Sequence, residues 1–172
     1  MKRLRKSIIL IGFMGVGKTT IGQELARKLQ YGFIDSDAEI EERYNMKTVD
    51  IFSVYGENDF RKTEREIVME TCQMEGKVIS LGGGAFKQEE IRQACLEHGI
   101  VVFLDMTWEF WKERISILSP TRPLLQEKSL DDIEKLFNDR QAIYQDHHIR
   151  VQIDNLGVDQ AVEAIYDELK LR

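Results

Sequence analysis

A chain of 172 residues with 24 Lys and Arg against 30 Asp and Glu, a formal net charge of -6, lacks the basic balance that nucleic acid or an anionic membrane surface requires of a partner. At 42% hydrophobic and 31% charged it is not a disordered chain, and its length suits one α/β domain spanning 1–172. Its two cysteines, Cys72 and Cys95, match no metal-binding or C-x-x-C spacing; this argues against a disulfide scaffold and predicts reduced thiols in or near the core.

The basic N-terminus is followed by an apolar run, Ile8 to Ile11, that is too short for a signal peptide, and no stretch approaches a membrane span. The expectation is therefore a cytoplasmic protein without a membrane partner. Ser7–Ile11 reads as a first strand. Directly after it comes Gly12-Phe13-Met14-Gly15-Val16-Gly17-Lys18-Thr19, which matches G-x-x-x-x-G-K-[ST]. Glycines let the backbone curl so that N–H groups point at phosphate oxygens, and a helix N-terminus adds more donors and a positive dipole end. Gly15, Val16, Gly17, Lys18, Thr19 and Thr20 are the expected nucleotide contacts. Lys18 would reach the β- and γ-phosphates, and the Thr19 hydroxyl would ligate Mg²⁺. Ile21, Leu25 and Leu29, four apart, mark the apolar stripe of the helix that follows.

Tyr31–Asp35 reads as a second strand that continues into Ser36-Asp37. Residues two apart on a strand point the same way, so Asp35 and Asp37 could both face the cleft at its C-terminal end. One carboxylate could hold Mg²⁺ through water while the other accepts a hydrogen bond from an attacking hydroxyl. Equally, Asp37 could be the N-cap of a helix through Ala38–Glu42. Arg61, in a charged helical stretch, is either a solvated partner of Glu64 or Glu57, or a fork for a substrate carboxylate. A third strand, Lys77–Leu81, leads into Gly82-Gly83-Gly84, which is either a tight turn or a place where a ligand passes close to backbone. Ile100–Asp105 and His148–Ile153 read as the fourth and fifth strands. Between them lie Trp108, Phe110 and Trp111, expected to serve packing, and Arg114, Arg122 and Arg140. Thr121-Arg122-Pro123 sits in a loop of the kind that forms a lid, from which an arginine could reach a transferring phosphate. Ile133, Leu136, Phe137 and Ile143 mark a helix with Ser129 as its N-cap. Val158, Val162, Ile165 and Leu169 mark another. Strands alternating with helices predict a parallel sheet covered on both faces.

In order along the chain, the P-loop, Asp35-Ser36-Asp37, Gly56-Glu57-x-x-Phe60-Arg61-x-x-Glu64, Gly82-Gly83-Gly84, Arg122-Pro123-Leu124-Leu125 and Arg140-x-x-x-Tyr144 resemble the shikimate kinases, a branch of the nucleoside monophosphate kinase-like P-loop proteins. The resemblance implies a three-layer α/β/α fold with a five-stranded parallel sheet in the order 2-3-1-4-5, a substrate-binding segment about 35–64 and a mobile lid about 114–126. It implies transfer of the γ-phosphate of ATP to the 3-hydroxyl of shikimate, with Mg²⁺ as cofactor and a monomeric enzyme. Residue by residue, Lys18, Asp37 and Arg122 would be catalytic, and Thr19 and Asp35 would serve the metal. Asp37, Arg61, Gly82, Gly83, Gly84 and Arg140 would bind shikimate. Arg114 would stack on adenine, and Arg122 would close over the phosphates. Asn45 stands where the family commonly has glycine, and asparagine tolerates the left-handed backbone that such a turn needs.

Overall fold

The computed structural model describes residues 5–118 and 128–172. Five parallel strands form one sheet: β1 (Ile8–Ile11), β2 (Gly32–Asp35), β3 (Lys77–Ser80), β4 (Ile100–Asp105) and β5 (Ile149–Gln152), in the order β2-β3-β1-β4-β5. This is the expected order, and each expected strand is present, trimmed by at most one residue at either end. The centre of the sheet follows from composition. Every residue of β1 is at most 1% exposed, although successive side chains point to opposite faces, so both faces are covered. The edge strand β5 alternates instead, with Ile149 and Val151 buried and Arg150 and Gln152 exposed.

The covering helices are α1 (Lys18–Leu29), α2 (Ser36–Tyr44), α3 (Thr48–Tyr55), α4 (Glu57–Thr71), α5 (Glu89–His98), α6 (Trp108–Leu118), α7 (Leu130–Ile143) and α8 (Val158–Lys170). A 3₁₀ turn, Ala85–Lys87, follows the glycine triplet. Of the expected stripes, Ile21 and Leu25 on α1 and Val162, Ile165 and Leu169 on α8 are buried, whereas Leu29 is half-buried and Val158, the first residue of α8, is exposed; α8 packs against α1. Ser129 caps α7 as expected, its hydroxyl accepting the Asp132 N–H at 3.2 Å. Asn45 ends α2 with φ 51° and ψ 41°, so the left-handed turn is kept without glycine. Both cysteines are buried free thiols.

α2, α3 and α4 enclose a second, small core of Ile40, Ile51, Phe60 and Ile67, with Phe52 stacked on Phe60 at 4.5 Å between centroids. That core anchors the segment carrying Asp37 and Arg61. α3, α5 and α6 are not marked by the sequence stripes. Of the expected lid, about 114–126, residues 114–118 are the last part of α6, and the remainder lies outside the described residues.

Candidate active site

The loop between β1 and α1 is shaped by its glycines, Gly12, Gly15 and Gly17, all at positive φ. A Cβ on Gly12 would lie 2.8 Å from the Leu104 carbonyl oxygen of the neighbouring strand. Gly17 holds φ 100°, which an L side chain rarely adopts. Gly17 is also the N-cap of α1, and no side chain caps that helix and no acid stands in its first turn. An uncapped, acid-free N-terminus leaves backbone N–H groups and the positive dipole end for an anion. Lys18, 8% exposed, curls back so that Nζ donates to the carbonyls of Gly12 at 2.7 Å and Phe13 at 3.0 Å. The ammonium is thereby held beside the cradle. From the other side α6 fastens the loop: Trp111 Nε1–H donates to the Met14 carbonyl at 2.7 Å, and Arg114 Nε–H donates to the Gly15 carbonyl at 2.9 Å. Trp111, fully buried against Phe13, is the packing residue expected; its hydrogen bond to the loop was not legible from the sequence.

Asp35 and Asp37 both line the cleft, about 350 Å³ in volume, that runs from this loop to the glycine triplet; Lys18, Thr19, Thr20, Gly82, Gly83 and Arg114 also line it. The route differs from a shared strand. Asp35 is the last residue of β2 and also the N-cap of α2: its Oδ1 accepts from the N–H of Asp37 at 3.0 Å and of Ala38 at 3.2 Å. The capping role open for Asp37 thus falls to Asp35, because the chain turns into helix one residue after the strand ends. Asp37 stands in the first helical turn. Asp35 Oδ2 accepts the Thr19 hydroxyl at 2.8 Å, which places two hard oxygen donors side by side at the mouth of the cradle. A cation of the Mg²⁺ type, which takes one or two protein oxygens and completes its shell with phosphate and water, fits that donor set.

Burial raises the Asp37 carboxyl to about 6; Glu64 and Asp35 add to the rise, while Lys18 and Arg61 oppose it. A carboxylate so placed is a stronger base than an exposed one and still ionised at neutral pH. Gly82 lets it approach: a Cβ there would lie 2.4 Å from Asp37 Oδ1. Close approach, and not positive φ, is therefore what Gly82 serves. Ser36, fully buried and absent from the sequence-derived candidates, fixes the same loop by accepting the Gly82 N–H at 2.9 Å.

Beyond Gly83 two arginines converge. Arg140 Nη1 and the Tyr144 hydroxyl donate to the Gly83 carbonyl at 2.9 and 2.8 Å. A Cβ on Gly84 would lie 2.7 Å from Arg61 Nη2 and 3.0 Å from Arg140 Nη1. Arg61 does pair with Glu64, Nη1 to Oε1 at 2.8 Å, and more loosely with Glu57 at 3.7 Å. It is not a solvated surface pair, because Glu64 is 1% exposed. Burial raises the Glu64 carboxyl as well, opposed by Arg61, Gln88 and Arg140. The structure thus brings together Gly15, Gly17, Lys18, Thr19, Thr20, Asp35, Asp37, Arg61, Gly82, Gly83, Gly84, Arg114 and Arg140 around one cleft and its rim, while Val16, between Gly15 and Gly17 in the loop, is buried in the core. Arg122 lies outside the described residues.

A parallel sheet with a phosphate cradle at the C-terminal end of its central strand, and paired acids across from it, defines a P-loop phosphotransferase. The family profile for shikimate kinase matches residues 14–170. A shikimate kinase of Oceanobacillus iheyensis is 50% identical over 96% of this chain and 91% of its own length. Among solved structures, a shikimate kinase from Bacteroides thetaiotaomicron aligns with TM-score 0.88 and 33% identity over 96% of this chain and 98% of that one. A shikimate kinase from Acinetobacter baumannii in complex with shikimate aligns with TM-score 0.84 and 33% identity over 98% and 93%. The chain belongs to the shikimate kinase family. It is accordingly an enzyme, an ATP-using transferase. Among the described residues no helix is long and apolar enough to cross a membrane.

Proposed function

We propose that this chain transfers the γ-phosphate of ATP to the 3-hydroxyl of shikimate, giving shikimate 3-phosphate and ADP in the cytoplasm, as a monomer and a single domain over 1–172. The observation that carries the acceptor is the meeting of Arg61 and Arg140 over Gly84, two residues along the chain from the Gly82 that lies against Asp37. Two guanidinium groups facing one small space call for an anion, and a carboxylate suits their planar donors. A carboxylated polyol held there would present a hydroxyl to Asp37.

The triphosphate would lie on Gly15 to Thr20, with Lys18 exchanging the Gly12 and Phe13 carbonyls for β- and γ-phosphate oxygens. Thr19 and Asp35 would hold Mg²⁺, the latter through water; the ion neutralises charge on the phosphates when bound. Asp37 would orient the 3-hydroxyl and take its proton. Arg114 would lie along the adenine side of the cleft. Arg122 is assigned to the transferring phosphate by the sequence resemblance alone. Positioning and electrostatic stabilisation would supply most of the acceleration. An acceptor panel tests this: with ATP and Mg²⁺, shikimate should stimulate ADP release while gluconate and AMP do not. Stimulation by gluconate or AMP in place of shikimate would overturn the acceptor assignment.

A further inference from the structure

Gln88 is the N-cap of α5, yet its side chain makes no capping hydrogen bond to that helix. Glutamine is not among the favoured capping residues, and here its amide is turned across to α4. There it uses both of its polar ends. Nε2–H donates to Glu64 Oε1 at 3.0 Å and to the Arg61 carbonyl at 3.2 Å, and Oε1 accepts from Arg65 Nη1 at 3.1 Å. Glu64 Oε1 therefore receives two donors, Arg61 Nη1 and Gln88 Nε2, whereas its buried Oε2 has no partner among the described residues. Two donors on one oxygen hold that end of the carboxylate in place. The Arg61 guanidinium bound to it is then held with Nη2 toward Gly84 and Arg140. The amide also ties down the backbone from which Arg61 projects.

We infer that Gln88 is a positioning residue for acceptor binding, acting through Glu64 and the Arg61 backbone to aim the Arg61 guanidinium at the substrate carboxylate. This rests on the assignment of Arg61 and Arg140 as carboxylate ligands. Gln88 touches neither the phosphate cradle nor Asp37 in the contacts it makes. Its loss should therefore appear in acceptor affinity and not in turnover or nucleotide affinity.

The test uses the full chain with Gln88→Met, which keeps length without the amide, and Gln88→Glu, which keeps shape but turns the donor facing Glu64 into an acceptor. Each should raise the Kd for shikimate about tenfold, the scale of one hydrogen bond to a charged group, with kcat at saturating shikimate and the KM for ATP within about twofold of wild type. In an Arg61→Ala background the same substitutions should add nothing further. Wild-type shikimate affinity in a folded variant, an equal loss in the Arg61→Ala background, or a fall in kcat without a change in Kd would overturn the inference. Gln88 is only half-buried, so Gln88→Glu decides the matter should Gln88→Met fail to fold. A wild-type chain that does not phosphorylate shikimate would instead sink the acceptor assignment, so the two failures are distinguishable.

Discussion

Arg61 and Arg140 reach the same point from different helices, α4 and α7: with a methyl group built on Gly84, both guanidinium groups lie within 3.0 Å of it. Two cations so close repel unless an anion joins them. Glu64 supplies part of that compensation to Arg61, and the acceptor carboxylate would supply the rest. Arg61→Ala should weaken shikimate binding by about 2–5 kcal/mol, the usual loss when a desolvated charged partner is removed. ATP affinity should stay near wild type. Calorimetric titration with each ligand checks both.

The Asp37 carboxyl, raised by burial to about 6, makes two pH predictions of opposite sense. For catalysis the ionised form is needed, so kcat/KM should fall as pH drops through about 6. For stability the folded state binds the proton more tightly than the unfolded one. Asp37 therefore costs stability above about pH 6, and the cost is relieved as pH falls toward the ordinary carboxylate range. Asp37→Asn should accordingly stabilise the protein near pH 8 by about 1–3 kcal/mol and change it little near pH 4. The same variant should lose about 10²–10⁴-fold in turnover with ATP affinity nearly intact. Denaturant melts at the two pH values and steady-state kinetics read these out.

Neighbouring glycines should behave differently. A Cβ on Gly82 would strike Asp37 Oδ1 at 2.4 Å, whereas on Gly83 the nearest atom is the Met14 nitrogen at an ordinary 3.6 Å. Gly82→Ala should displace the Asp37 carboxylate and cut kcat by about tenfold or more, while Gly83→Ala should stay within a few-fold. Equal effects at both positions would contradict the close-approach explanation of Gly82.

Asp35 does two jobs, as the cap of α2 and as the acceptor of the Thr19 hydroxyl. Asp35→Ala should lose about 0.5–2 kcal/mol of stability from the cap. It should also raise the Mg²⁺ concentration needed for half-maximal activity, and chelation by EDTA should abolish transfer by the wild type. A metal titration alongside thermal melts separates the two effects.

The sheet was legible because its signal is local. The unbroken apolar runs of β1 and β4 and the three- and four-apart stripes of α1 and α8 carry most of the burial, and the P-loop spelled out its own turn and helix start. Helices α3, α5 and α6 were not legible. α3 buries only Ile51, and α5 buries Ile91, Ala94 and Cys95, so neither shows a long stripe. In the site, the residue types were readable, but which acid caps α2 depended on where β2 stopped: the sequence offered Asp37 for that role, and the cap is Asp35 because the helix begins at Ser36. The supports were hidden for another reason. Ser36, Gln88 and Trp111 act through contacts far apart in sequence, Ser36 with Gly82, Gln88 with Glu64 and Trp111 with Met14, and no local pattern encodes such pairs.

A crystal structure of the chain with ADP, Mg²⁺ and shikimate bound tests the central claim most directly. The account predicts the shikimate carboxylate between the guanidinium groups of Arg61 and Arg140, with the 3-hydroxyl against Asp37 and facing the phosphates. A carboxylate bound away from both arginines, or a ring whose 3-hydroxyl points away from the nucleotide, would contradict it.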